Sequence, residues 1–503
     1  MEMRRKPKLS RELGLLALIA TAVCTVIGGG INVLSVMIQR DVPGIAYLVP
    51  LAFLFGVIPA LFGALNYAIL SSAMPRAGGG YMYTSRALNP FLGFMATFSK
   101  WFGLSAVTGV IAYIDIPLLR DAAHHAGLIG VSNFLNTDIA RIGIPLLMVW
   151  FFWFINLIGI EEYGYTVIIL MFLMLTGGVI LILTGFLNSH SDFVQTMITR
   201  EGKDITSIIS LVKTKVGGLK EAITAAAVLF FAYTGFATIS QAGGEAKNPK
   251  RNLPLAFLIS TLIITTYYML FSGALYHAVP WQYISYEAQT ADLTAPGLVG
   301  VLLPGSLAVF IVLMAAIALL NDIPPMLMAS SRLFFAWAED GIFPKKLSNV
   351  NKRFRTPHYA LTIVAVISSL VILGCHYAGD FFLGIDITVT SLVFTYVLIS
   401  VSVISFPFVN KKLYNEIAFI KNRFAQIIIA VISIFTLSVL FFIVIWGDVK
   451  KSVSAWYFHA TYIWLIVMAI GVVIFVIQWK LLKKKGIDPK KDIFSKLPVE
   501  YEA

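Results

Sequence analysis

Residues 26–31 read Val26-Ile27-Gly28-Gly29-Gly30-Ile31, in the middle of an apolar stretch long enough to cross a membrane. Each glycine costs a helix interior roughly 1 kcal/mol relative to alanine. A helix broken at mid-bilayer depth frees backbone N–H and C=O groups that lipid cannot satisfy, so they must face protein, water or a ligand. A second break is expected in Phe231-Ala232-Tyr233-Thr234-Gly235. By itself the glycine run reads equally as a close helix–helix contact. Two breaks, five spans apart, point instead to a binding site built from discontinuous helices.

The rest of the chain places these breaks in a membrane. Of 503 residues, 58% are apolar and 13% charged, with a mean hydropathy of +0.84; a soluble domain carries about 25% charge. Apolar windows of about 20 residues fall at roughly 13–38, 44–72, 91–119, 141–160, 164–187, 220–241, 254–276, 298–338, 358–377, 382–408, 425–447 and 456–481. They are expected to form about twelve spans of an all-α membrane protein. The eighth window holds Pro324-Pro325 and reads either as one long kinked helix or as a helix with an extension. The stretch after the basic start lacks a convincing cleavage site and is too long for a signal peptide.

The net charge of +12 is not a nucleic-acid signature. Most lysines and arginines fall in the N-terminal arm, the even-numbered connections and the C-terminal tail, a bias that predicts both termini in the cytoplasm of a cell-membrane protein. There the basic charge faces anionic lipid. The expected organisation is an N-terminal arm (1–12), a core of ten spans (13–408), an outer insert (188–219) capping the entry path, spans 11–12 (425–481) and a cytoplasmic tail (482–503). Cys24 and Cys375 lie far apart in apolar spans and the histidines are scattered. No disulfide, metal site or cofactor is expected.

If spans 1–5 and 6–10 are repeats, an odd number of helices per repeat inverts the second against the first. Where span 1 resumes after its glycines, free N–H groups and a positive dipole end suit a carboxylate. Where its first half ends, free carbonyls suit an ammonium group. One break can therefore read both ends of an α-amino acid.

Four stretches carry a family resemblance. They are the glycine run; Met74-Pro75-Arg76-Ala77-Gly78-Gly79-Gly80-Tyr81-Met82-Tyr83 with Asn89-Pro90; Glu245-Ala246-Lys247-Asn248-Pro249 through Pro254; and Ser331-Arg332-Leu333-Phe334-Phe335-Ala336 with Asp340-Gly341-Ile342-Phe343-Pro344. Together they resemble the amino acid permeases of the amino acid–polyamine–organocation transporter superfamily. The resemblance implies a leucine-transporter-like five-plus-five inverted repeat with discontinuous helices 1 and 6, plus two C-terminal helices, and secondary active transport by alternating access. By the same resemblance, the N–H groups of Gly28, Gly29, Gly30 and Ile31 hold the substrate carboxylate. The carbonyls of Val26, Phe231 and Thr234 accept from its ammonium, and Phe231 is a gate; Ile27, Ala232, Tyr233 and Gly235 complete the site. Two departures stand out: Ala237 occupies a place where many relatives carry an acid, and residues 165–186 hold none of the lysine used by some proton-coupled relatives.

Charges inside spans are functional candidates by default. Asp322 has two readings: a cap for the helix resuming at Pro324-Pro325, or the carrier of a coupling proton or attractor of a cationic substrate. Glu245 and Arg332 either pair as an inner gate or are solvated. Asp115 is expected to be solvated or paired with Arg120, and Lys100 to snorkel to the headgroups. Proton and sodium both remain open as coupling ions. No catalytic set, P-loop or channel ring is present, so neither an enzyme nor a channel is expected. The runner-up substrate is a polyamine or other organic cation, which lacks the carboxylate the glycine break would hold.

Overall fold

The computed structural model describes residues 9–28, 30–291, 293–378, 382–450, 456 and 459–498; Gly29, one of the expected site residues, lies outside them. Among the described residues, twelve helices are long and apolar enough to span a membrane: Leu15–Asp41, Ala46–Ala73, Pro90–Arg120, Asp138–Ile158, Ile160–Leu187, Leu219–Gln241, Pro249–Ala278, Gly305–Glu339, His358–Tyr377, Asp386–Val409, Arg423–Lys450 and Ala460–Lys484, here spans 1–12. The chain is thus an all-α, multi-pass membrane protein. An even number of crossings brings both ends to one face, called here the terminal face. Among the described residues the β pairing is confined to two isolated bridges, Leu13 with Ala246 and Ala77 with Ala242.

Burial ranks the spans. Spans 1, 3 and 6 are the most enclosed by protein, and spans 4 and 11 the least. Span 7 lies along span 2, and span 10 along span 3. In lipid the gain from packing two apolar helices is small unless backbones approach closely, so small residues set the contacts. Gly185 meets the Ala274 carbonyl of span 7, where an added Cβ would lie 2.5 Å from the oxygen. The polar insert between spans 5 and 6 forms helices His190–Glu201 and Thr206–Leu211. A capping box between Ser189 and Asp192 starts the first, and the Gly217 N–H donates to the Gly44 carbonyl at 2.8 Å.

Three spans are interrupted. Span 1 is helical over Leu15–Val26, leaves the helix at Ile27 and resumes through a π-helical turn, Gly30–Leu34, into Ser35–Asp41. Span 6 is helical over Leu219–Leu229 and tightens to a 3₁₀ turn at Phe230–Tyr233. It becomes extended at Thr234 and restarts as a 3₁₀ helix over Phe236–Gln241. Span 8 divides into Gly305–Leu320 and Ile323–Glu339. Its division falls at Asn321-Asp322, because the prolines that follow lack the N–H groups a continuous helix would need.

Candidate functional site at the crossing of two broken helices

The two expected breaks meet. A Cβ added at Gly30 would lie 3.0 Å from Ala232 Cα, and one at Gly235 would lie 2.5 Å from the Thr25 carbonyl oxygen. Gly235 also has φ +110°, a region an L-residue enters only under strain. Here glycine supplies both the turn and the close approach. The Thr238 hydroxyl reaches Thr25 Oγ1 at 3.1 Å, and the Gly235 N–H donates to the Tyr396 hydroxyl of span 10 at 3.3 Å.

A residue that sequence reasoning missed ties the breaks together. The Tyr268 hydroxyl of span 7 stands 2.6 Å from the Val26 carbonyl and 2.7 Å from the Ala232 carbonyl. One hydroxyl proton thus serves two acceptors, one on each broken helix. The Phe231 carbonyl accepts from the Thr234 N–H and hydroxyl at 2.9 and 2.7 Å. Val26 and Phe231 therefore already hold protein donors in this conformation. Tyr233 is buried, its hydroxyl donating to the Phe53 carbonyl at 3.0 Å. Phe231 remains half-buried at the edge of the core.

Asp322 enters from the break in span 8. It is 5% exposed, and a Cβ at Gly28 would lie 2.5 Å from its Oδ2. Its carboxylate makes no capping bond to the helix that follows, and its Oδ1 has no hydrogen-bond partner among the described residues. The capping reading is therefore corrected: the backbone at Asp322 is already helical, so its side chain projects away from the next N–H groups and onto span 1.

Two further expectations are corrected. Lys100 does not snorkel. It is fully buried, with Nζ donating to the Ala237 carbonyl at 3.0 Å and lying 5.6 Å from the centre of the Tyr67 ring. The bent second half of span 6 brings that carbonyl within reach, so the ammonium turns inward. Asp115 is neither solvated nor paired: it is fully buried and neither oxygen has a hydrogen-bond partner among the described residues. Span 3 is packed on most sides, which leaves no exposed face at that position.

Towards the terminal face the structure is closed. Arg332 holds Glu245 through two bonds, 2.9 and 2.6 Å, with both side chains fully buried, so the solvated alternative does not hold. The Leu13 N–H donates to the Glu245 carbonyl at 3.0 Å, and the Lys247 N–H to the Leu13 carbonyl at 2.8 Å, stitching the start of span 1 to the end of span 6. The glycine-rich connection 77–80 packs on the same layer. Gly78 has φ +74° and donates its N–H to the Gln241 carbonyl at 3.3 Å, while Gly79 sits against the Ser240 carbonyl, where no side chain fits. The helix it opens, Gly79–Ala87, ends with Arg86 bound twice to Asp340, at 2.6 and 2.8 Å. Burial opposes the Arg86 charge, but Asp340 and, after it, Tyr81 together more than offset this, and the guanidinium pKa is raised.

A bundle of twelve spans, with two of its most buried helices broken where they cross and buried ion pairs towards its terminal face, belongs to the class of membrane permeases. The sequence pattern of the family described as "Amino acid permease" matches residues 13–478, and the chain belongs to that family. The chain is 29% identical to a vacuolar cationic amino acid transporter 4 of Arabidopsis thaliana, over 72% of this chain and 58% of that protein. It is 25% identical to the branched-chain amino acid permease BcaP of Bacillus subtilis, over 72% of this chain and 74% of that one. To the serine/threonine exchanger SteT of the same bacterium it is 26% identical, over 73% and 77%. The matched region spans little more than half the length of the two plant transporters it resembles.

Proposed function

We propose that the protein carries amino acids across the cell membrane by alternating access, with its terminal face cytoplasmic. The substrate sits where spans 1 and 6 break. The observation that carries this reading is the apposition of the breaks, with Gly30 on Ala232 and Gly235 on Thr25. It supports a site in which free backbone groups of both helices serve one small zwitterion. In this reading the N–H groups of Gly28, Gly29, Gly30 and Ile31 hold the carboxylate. The ammonium takes the place of the Tyr268 proton on the Val26 or Ala232 carbonyl, so substrate and Tyr268 exchange partners during the cycle. The family membership, and the relatives' names as amino acid transporters, support amino acids over other cargo. Spans 1–5 and 6–10 act as inverted repeats, and the Glu245–Arg332 pair is the inner gate that parts for release.

Radiolabelled amino acid uptake into proteoliposomes, run as a competition panel with proton and sodium gradients imposed separately, tests the reading. It predicts saturable uptake of at least one amino acid; no uptake under any gradient or with any internal substrate defeats it. Neutral amino acids are the expected class, because Ala232, Tyr233 and Thr234 line the break without charge.

Asp322 favours a second reading of the cargo. A buried carboxylate oxygen without a partner, facing Gly28, suits a coupling cation, a proton or sodium, and equally suits a cationic substrate such as a polyamine. Asp322→Asn separates these. As a coupling group, its loss abolishes the response of uptake to an imposed gradient while exchange persists. As a substrate anchor, its loss removes competition by a diamine and leaves gradient dependence intact.

A further inference from the structure

Beyond its last span the chain turns back over the terminal face. After Lys484 ends span 12, residues Pro489–Ile493 form one π-helical turn, begun by Asp488, whose side chain accepts from the Lys490 N–H at 3.1 Å. Phe494 then inserts: it is 5% exposed, stacks on Trp479 with ring centres 5.9 Å apart, and lies under the Arg86 guanidinium, 4.9 Å from ring centre to Cζ. The backbone that follows is held by side chains from two connections. Asn410 Nδ2 donates to the Ser495 carbonyl at 3.2 Å, Arg86 Nε to Lys496 at 3.4 Å, and Arg76 Nε to Pro498 at 3.2 Å.

These contacts fall on one functional layer. Arg76 precedes the Gly78–Gly80 turn and Arg86 lies in the last turn of the Gly79–Ala87 helix, which closes against the second half of span 6 through Gly78–Gln241 and Gly79–Ser240. Arg86 is shared: it grips Asp340 at the end of span 8 and the tail at once. Any movement of the second half of span 6 away from span 8 must carry the Gly79–Ala87 helix with it, or strip that helix off. The tail holds the helix in place from outside. A basic tail with exposed Lys490, Lys491 and Lys496 would by charge alone lie free in water or on lipid; an aromatic plug and three carbonyl bonds hold it on the gate instead.

We propose that residues 488–498 are an autoinhibitory strap, which holds the terminal face closed and must detach before the inner gate opens. The proposal rests on the transporter reading for what the gate admits, but not for the strap's effect on the gate itself. Hydrogen–deuterium exchange of the Gly79–Ala87 helix in the purified full-length protein reads that effect without any substrate. In a chain ending at Lys485, and in the full chain with Phe494→Ala, exchange of that helix is expected to rise about tenfold, while a chain ending at Pro498 keeps full protection. Uptake of radiolabelled leucine by the same proteins is expected to rise severalfold in maximal rate with KM unchanged. Unchanged protection in both the shortened chain and Phe494→Ala overturns the strap. So does loss of protection in the chain ending at Pro498, which would place the restraint elsewhere. Faster exchange without faster uptake, in a protein that does transport leucine, overturns the regulatory role and leaves a passive brace. Should the shortened chain aggregate, Phe494→Ala decides alone.

Discussion

At the residue scale the central observation is one proton shared by two carbonyls. Tyr268 sits between Val26 and Ala232 at 2.6 and 2.7 Å, and removing its hydroxyl leaves a buried acceptor on each broken helix. An unsatisfied buried acceptor costs about 1–3 kcal/mol. Tyr268→Phe is therefore expected to lower the thermal midpoint of the purified protein by several degrees, and added substrate is expected to recover part of the loss, because an ammonium group supplies donors of its own. A midpoint unchanged by the substitution would show that the hydroxyl is not what satisfies these carbonyls. Nothing in the sequence distinguishes Tyr268 from the other 19 of 20 tyrosines: an aromatic in an apolar span looks like packing until the partner helix is known. Lys100 was hidden for a related reason. Its place near the end of span 3 suggested a route to the headgroups, and only the bend of span 6 puts the Ala237 carbonyl nearer than water.

At the element scale, the breaks in spans 1 and 6 were legible because glycine in a membrane helix carries a local cost that needs a local reason. Gly235 was legible for its backbone, and the structure adds the neighbour, Thr25, that its missing side chain admits. The break in span 8 was announced by Pro324-Pro325, but the direction of the Asp322 carboxylate was not. A cap and an inward-facing acid share one local sequence, and the choice depends on which way the helix axis turns after Leu320. The pair Glu245–Arg332 joins elements far apart in sequence, so the sequence offers both pairing and solvation, and only the packing of span 6 against span 8 decides for the pair. Its energetics follow from burial. Two charges taken out of water pay for themselves only while both are present, and removing one partner costs about 3–5 kcal/mol. A double-mutant cycle on thermal stability is expected to show Arg332→Ala and Glu245→Gln each strongly destabilising, with the double variant less damaged than their sum. Strict additivity would mean that the two side chains do not act as a unit.

At the scale of the whole molecule, span count and overall class could be read from hydropathy alone. The arrangement that gives the chain its function could not, because hydropathy carries no information on which helix meets which. Two broken helices cross, the start of span 1, the ends of spans 6 and 8 and the Gly79–Ala87 helix close over the terminal face, and the tail folds across that closure. A transporter built this way needs the central crossing to be one binding site. Equilibrium binding of radiolabelled amino acids to purified protein, comparing wild type with Gly30→Val and Gly143→Val, tests this most directly. The Gly30 side chain would collide with Ala232 across the crossing, whereas Gly143 in span 4 has open space around it. Saturable binding in wild type and Gly143→Val, abolished in a well-folded Gly30→Val, is the predicted result. Equal binding in all three proteins would place the substrate somewhere other than between the breaks.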